Sequence, residues 1–155
     1  EVVFWMFGSL DKSSWPKLGL VTAVVVAVVP LLLWRAWDLN ALAEGDETAK
    51  SLGVPVERSM AGFMLAASLV TAVIICFTGT IGFIGLVAPH ITRMVIGADH
   101  RTLIPASGLV GAVILLGADC LARTVIPGAI IPVGIMTAFL GIPFFVYLFM
   151  RRRDA

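Results

Sequence analysis

Charged side chains are bunched along this chain, leaving uncharged stretches at residues 18–34, 59–92, 102–118 and 124–150. A bilayer core about 30 Å thick takes about 20 apolar residues per helix. The two stretches of 17 residues are therefore near-minimal spans, and the two longer ones need dividing. The stretch 59–92 divides at Thr78-Gly79-Thr80, which predicts a span over 59–77 and a second helix over 81–96. At about 1.5 Å per residue that second helix reaches only about 24 Å, less than the hydrocarbon thickness, and it contains Pro89. It is expected to lie among neighbouring helices or beside a cavity. The turn 97–101 leads into a span over 102–121. Beyond it, Pro127, Gly128, Pro132, Gly134, Gly141 and Pro143 argue against one straight helix. A short helix over 132–140, a break at Gly141 and a last span from residue 142 onward are predicted.

The polar segments have structure of their own. Residues 1–17 mix Phe4, Trp5, Phe7 and Trp15 with Gly8, Asp11, Lys12 and Pro16, a composition suited to a loop at a membrane interface. Pro30 falls inside the first span, and Trp34 and Trp37 bracket Arg35 like an interfacial belt. Between Arg35 and Arg58, Asp38 can cap a turn carrying Leu39, Leu42 and Ala43. Asp46 can cap a second turn carrying Ala49 and Leu52, which Gly53 and Pro55 end. Two short helices joined at Gly45 are the expectation.

Composition agrees with a membrane protein: 59% of residues are hydrophobic, 14% are charged and the mean hydropathy is +1.02. An ordinary soluble domain carries about 25% charged residues. The net charge of +1, with no basic stripe interleaved with aromatics, speaks against a nucleic-acid partner. The divisions above give five crossings, and the positive-inside rule orients them. One side holds Arg35, Lys50, Arg58, Arg93, Arg101 and Arg151 to Arg153, and the other only Lys12, Lys17 and Arg123. Residues 35–58 and the C-terminus are thus expected in the cytoplasm. The chain opens on Glu1 with no signal-peptide pattern in its first ten residues and reads as a piece of a longer protein.

Little here could do covalent chemistry. There is no GxxxxGK[ST] loop, GxSxG elbow or HExxH pair, and His90 and His100 are the only histidines, so neither a metal site nor an enzyme is expected. Cys76 and Cys120 sit in apolar segments without ligand spacing and read as core residues. Gly79, Gly82 and Gly85, with the pairs Gly108/Ala112 and Gly134/Ala138, suit close helix packing over a pathway-lining role. Asp119 and Arg123 are four apart, the spacing of an ion pair on one helical turn, or else of an ion-coupling site. His90 reads as a structural imidazole. The paired short helices offer a partner ATPase something rigid to push on, or are simply a solvated amphipathic loop.

The stretch Gly79-Thr-Ile-Gly-Phe-Ile-Gly-Leu-Val-Ala-Pro-His-Ile-Thr-Arg93, with Asp99-His100-Arg101 and Leu103-Ile-Pro-Ala-Ser107, resembles the FecCD-type permeases. These are the membrane subunits of ABC importers for ferric siderophores, haem and cobalamin. Ala118-Asp119, Ala122-Arg123 and Ile131-Pro-Val-Gly-Ile-Met-Thr-Ala-Phe-Leu-Gly-Ile-Pro-Phe-Phe145 extend the likeness toward the end of the chain. The resemblance implies an all-α polytopic bundle in the cell (inner) membrane, of which residues 1–155 are the C-terminal half of a subunit with about ten helices. It implies a second permease subunit, two cytoplasmic ATP-binding subunits that hold ATP and Mg, and an extracytoplasmic substrate-binding protein. This chain itself would bind no cofactor.

Residues 38–53 look like the family's coupling helices, so Leu39, Asn40, Leu42, Ala43, Glu44, Gly45, Asp46, Ala49, Leu52 and Gly53 are the ATPase-coupling candidates. Asp46-Glu47 makes this turn more acidic than the family pattern. Gly82, Gly85, Pro89, Gly134 and Gly141 are candidates for packing or pathway, and Asp119 with Arg123 for a structural ion pair. The rival readings are an ion-coupled secondary transporter and a non-transporting membrane assembly subunit. The residues do not choose among siderophore, haem, cobalamin and an oxyanion.

Overall fold

The computed structural model describes residues 7–10, 13–124 and 131–151, excluding the side chains of 147–149 and 151. Among them are seven helices and no strand: α1 Trp15–Trp34, α2 Ala36–Ala43, α3 Asp46–Ser51, α4 Val56–Thr78, α5 Ile84–Ile96, α6 His100–Thr124 and α7 Val133–Arg151. Three of these, α1, α4 and α6, are long and apolar enough to cross a membrane. The expected interfacial residues 1–6, the basic residues Lys12, Arg152 and Arg153, and Pro127 and Gly128 lie outside the described residues.

The long helices follow the hydrophobic pattern with longer ends. α1 starts at Trp15 with Pro16 in its first turn, where the missing N–H costs nothing, and continues through Pro30. α6 reaches back to His100 because Asp99 caps it. The Leu103 N–H donates to the Asp99 carbonyl at 2.8 Å and the Arg101 N–H to its carboxylate at 3.0 Å. The division after Thr78 is observed, but the non-helical stretch runs to Phe83, so α5 has only 13 residues. At about 1.5 Å per residue it is about 20 Å long, too short to span alone. It packs along α6 and also touches α7.

Two expectations about breaks are corrected. Gly141 does not interrupt the last segment, since α7 is continuous over 19 residues with Pro143 inside it. A Cβ at Gly141 would collide with Phe83 Cβ and lie 2.6 Å from its Cγ. The glycine admits close approach of α7 to Phe83, the residue that precedes α5. Asp38 and Asp46 are not caps: Arg35 and Gly45 hold those positions, and both aspartates fall in the first helical turn. There their charge still complements the helix dipole.

The joint at Gly45 is observed, with φ at 111°, a value open to glycine. α3 ends in a Schellman motif, in which the Val54 N–H donates to the Ala49 carbonyl and the Gly53 N–H to the Lys50 carbonyl, both at 3.0 Å. Gly53 supplies the positive φ of 83° that this motif needs.

Residues 7–10 are packed against the bundle. The Ser9 N–H donates to the Thr78 carbonyl at 2.9 Å, and Gly134 abuts the Phe7 carbonyl. Leu10 and Ile131 lie against a buried cluster of Ala118, Ala122 and Val133. This part of the N-terminal segment, expected as a loop at the membrane interface, closes one end of the bundle. Cys76 and Cys120 are exposed on the outer faces of α4 and α6, not in the core.

Candidate functional site

The end of the bundle opposite that closure is built from α2, α3 and the 97–101 turn. In α3, Asp46 and Glu47 in the first turn and Lys50 in the last oppose the helix dipole. Ala49, fully buried, seats the helix, and the flanking residues face outward: Ala43, Glu44, Gly45, Asp46 and Gly53 are exposed, and Leu52 is 68% exposed. Leu39 and Leu42 are half-buried. Nine of the ten coupling candidates therefore separate into a projecting set and a seating set.

Asn40 belongs to neither set. Its Nδ2 donates to Asp99 Oδ1 at 2.8 Å, and its Oδ1 accepts from the His100 N–H at 2.9 Å. His100 Nδ1 lies 2.7 Å from the same oxygen. An ionised carboxylate can only accept, so Asp99 fixes which way the Asn40 amide points, and the amide oxygen in turn requires the Nδ1–H tautomer of His100. These donors hold the Asp99 carboxyl below the usual carboxylate range, the Asn40 amide first and the Arg101 N–H second. One turn before Asn40, the Trp37 ring lies under the Arg101 guanidinium, 4.9 Å from its centroid, a cation–π contact. Two contacts on one face of α2 thus tie it to the start of α6. Sequence reasoning treated 97–101 as a plain polar turn. An Asp just ahead of an apolar run is an N-cap signal that could have placed the helix start there, but the reach to Asn40, 59 positions away, is a tertiary fact.

The other candidates are scattered. Asp119 and Arg123 do pair, with Nε to Oδ2 at 2.9 Å and Nη2 to Oδ1 at 3.2 Å, a fork-shaped contact on the last turns of α6. Gly85 and Pro89 line an open groove of about 400 Å³ between α5 and α6, together with His90, Arg93, His100 and Ser107. His90 also presents its ring edge-on to Phe144, with centroids 6.2 Å apart. A Cβ at Gly82, Gly85 or Gly108 would meet nothing within 4 Å. The close approaches among the described glycines are instead at Gly8, Gly134 and Gly141, while Gly111 faces Ala88 and Ile84 at ordinary contact distance. Among the described residues no group of three or more His, Cys, Asp or Glu could hold a metal ion.

Comparison with known proteins gives the family of this chain. The model of the FecCD transport family matches residues 1–151. This chain belongs to the FecCD transport family. Among its relatives is the hemin transport system permease protein HmuU of Yersinia pestis, 43% identical over 97% of this chain and 45% of that protein. The cobalamin import system permease protein BtuC of Halobacterium salinarum is 43% identical over 97% of this chain and 40% of its own length. A solved inward-facing conformation of a metal-chelate type ABC transporter superposes with a TM-score of 0.86 at 38% identity, covering 97% of this chain and 48% of that one. This FecCD chain therefore spans less than half the length of the relatives it matches. The all-helical bundle expected from the hydrophobic pattern is the family's architecture.

Proposed function

We propose that this chain is the C-terminal half of a permease subunit in an ATP-driven importer that carries a metal chelate or cobalamin into the cytoplasm. The observation that carries the reading is the projecting rim of α2 and α3 on an otherwise apolar FecCD bundle: Ala43, Glu44, Gly45, Asp46 and Leu52 stand out from it, held by the buried Ala49. A permease that does not itself hydrolyse ATP needs such a rigid handle, and a cytoplasmic ATP-binding subunit is the partner that would grip it. Leu52 supplies apolar contact, and Glu44, Asp46 and Glu47 complement a basic rim. Two such subunits would enclose the pathway, fed from outside by a substrate-binding protein. The excess of Arg and Lys at the α2–α3 end supports a cytoplasmic position for that end in an inner-membrane protein. Gly82, Gly85 and Pro89, open on this chain, are positioned to face the pathway or the rest of the subunit.

The test is ATP-dependent uptake of a radiolabelled panel of ferric siderophores, haem and cobalamin. It uses proteoliposomes holding the full-length permease, its ATPase and its binding protein. Uptake of one member supports the importer and names its cargo. Charge reversal at Glu44 combined with a bulky residue at Gly45 is expected to abolish coupled uptake, and intact uptake would overturn the contact assignment. Uptake driven by an ion gradient without the ATPase would refute the importer in favour of a secondary transporter.

A further inference from the structure

The α2–α3 rim has to be connected to the helices that move, and the hydrogen bonds show one connection. α3 and the first turn of α4 are linked through a short turn, and α1 passes directly into α2 at Arg35. Both are chain connections that can hinge. The side-chain contacts of α2 lead elsewhere, to Asp99, His100 and Arg101 at the corner between α5 and α6. That corner is the end of the antiparallel pair α5 and α6, which pack along each other. Gly111 of α6 faces Ala88 and Ile84 of α5, and a Cβ there would sit 3.5 Å from each.

We propose that Asn40 is a positioning residue that latches the coupling helix α2 to the α5–α6 corner through Asp99 and His100, so that force applied to the rim is delivered to the α5–α6 pair. The inference rests on the importer reading. Three features support the latch as a transmitting contact. Its three hydrogen bonds converge on one short amide, which has little rotamer freedom to absorb a displacement. One partner, the Asp99 carboxylate, also accepts from the Arg101 N–H, so pulling on Asn40 pulls on the first turn of α6 itself. The Arg101–Trp37 contact on the same face of α2 resists rotation about that single point.

The chemistry of the pair gives a test that a merely structural role would not pass. Exchanging the two residues, Asn40→Asp with Asp99→Asn, keeps an amide facing a carboxylate and reverses which side donates. The new amide at position 99 donates to the new carboxylate at position 40, which also accepts from the His100 N–H and Nδ1–H; the Arg101 N–H loses its acceptor, because the Asp99 oxygen it uses is the one that faces Asn40. Asn40→Asp alone sets two carboxylates against each other.

Uptake per ATP hydrolysed is measured in proteoliposomes of the full-length complex. Alongside it, the recovery of the ATP-binding subunits and the rate of ATP hydrolysis are recorded. Asn40→Ala and Asn40→Asp are expected to lower uptake per ATP about tenfold or more, with subunit recovery and hydrolysis within about twofold of wild type, and the exchanged pair to recover part of the loss seen in Asn40→Asp. The latch is overturned if Asn40→Ala retains uptake per ATP within about twofold of wild type, if the exchanged pair is as impaired as Asn40→Asp, or if Asn40→Ala loses the ATP-binding subunits. The last result would make Asn40 part of the docking rim. Wild-type complex that hydrolyses ATP without moving any chelate would refute the importer reading, and the latch with it, before any variant is compared.

Discussion

Replacing Gly141 by alanine tests whether the contact between α7 and Phe83 is as tight as it looks. An added methyl would run into Phe83 Cβ and Cγ, atoms at the root of the side chain that cannot swing away without moving the backbone. That backbone has little slack, because Phe83 is the only non-glycine described residue with positive φ, at 68°. Such a conformation already costs about 1–2 kcal/mol in a residue with a Cβ. Overpacking costs about 1–3 kcal/mol, and a collision with a Cβ belongs at the upper end, about 3 kcal/mol. Against this, alanine gains about 1 kcal/mol over glycine inside a helix. The net expectation is a loss of about 2 kcal/mol.

Gly111→Ala is the matched control. It lies in mid-helix, with Ala88 and Ile84 at 3.5 Å from the new methyl, an ordinary van der Waals distance. No strain opposes the helix-propensity gain, so stabilisation by about 1 kcal/mol is expected. The two variants, differing only in position, should therefore stand about 3 kcal/mol apart on opposite sides of wild type. Thermal unfolding of the full-length permease in detergent, followed by tryptophan fluorescence, reads the order. Gly141→Ala equal to Gly111→Ala, or above wild type, would refute the argument that Phe83 is pinned by the glycine.

Three further outcomes follow from single side chains. The Ser59 hydroxyl is buried without a hydrogen-bond partner among the described residues, so Ser59→Ala removes an unmade bond and should leave the melting temperature unchanged or higher; a clear drop would mean the hydroxyl is satisfied in the full subunit. Asp99 has its folded carboxyl pKa below the unfolded value of about 3.9, so its contribution is fully present above about pH 4 and is lost as pH falls further through the folded pKa; Asp99→Asn should remove that acid-side loss, and identical melting profiles below pH 5 for both proteins would contradict it. The Asp119–Arg123 pair is partly exposed, with Arg123 at 47%, so Asp119→Ala should cost no more than about 1 kcal/mol and spare ATP-driven uptake; abolished uptake with a normal melting temperature would restore the ion-coupling role.

The sequence makes the long spans legible because hydrocarbon thickness imposes a length and an apolar content that any lipid-facing helix must meet. It makes the paired short helices legible because Gly45, Gly53 and Pro55 act locally. Gly141 misleads for a related reason: a glycine that breaks a helix and a glycine that admits a neighbour look the same in sequence, and only Phe83, 58 positions earlier, distinguishes them. The small-residue spacing was similarly ambiguous. Gly108 and Gly111 lie on the same helix, yet only the second meets α5. Asn40 sits within a run matched by the family pattern, and its hydrogen bonds reach across to residues that the pattern treats as a separate motif.

These contacts together explain how a helix as short as α5 is held. Its start is pinned where Phe83 meets Gly141, beside the closure formed by residues 7–10, Thr78 and Gly134. Its far end turns through 97–99 into α6 at the corner that Asn40 grips. Along its length it packs on α6, and His90 meets Phe144 of α7. A 13-residue helix has too few apolar contacts with lipid to fix its own tilt, so its position is set by these end contacts. On the latch reading, a displacement at the α2 end is carried into α5 and α6. The Phe83–Gly141 contact lies at the other end of that pair, so on the same reading it is where such a displacement would reach α7.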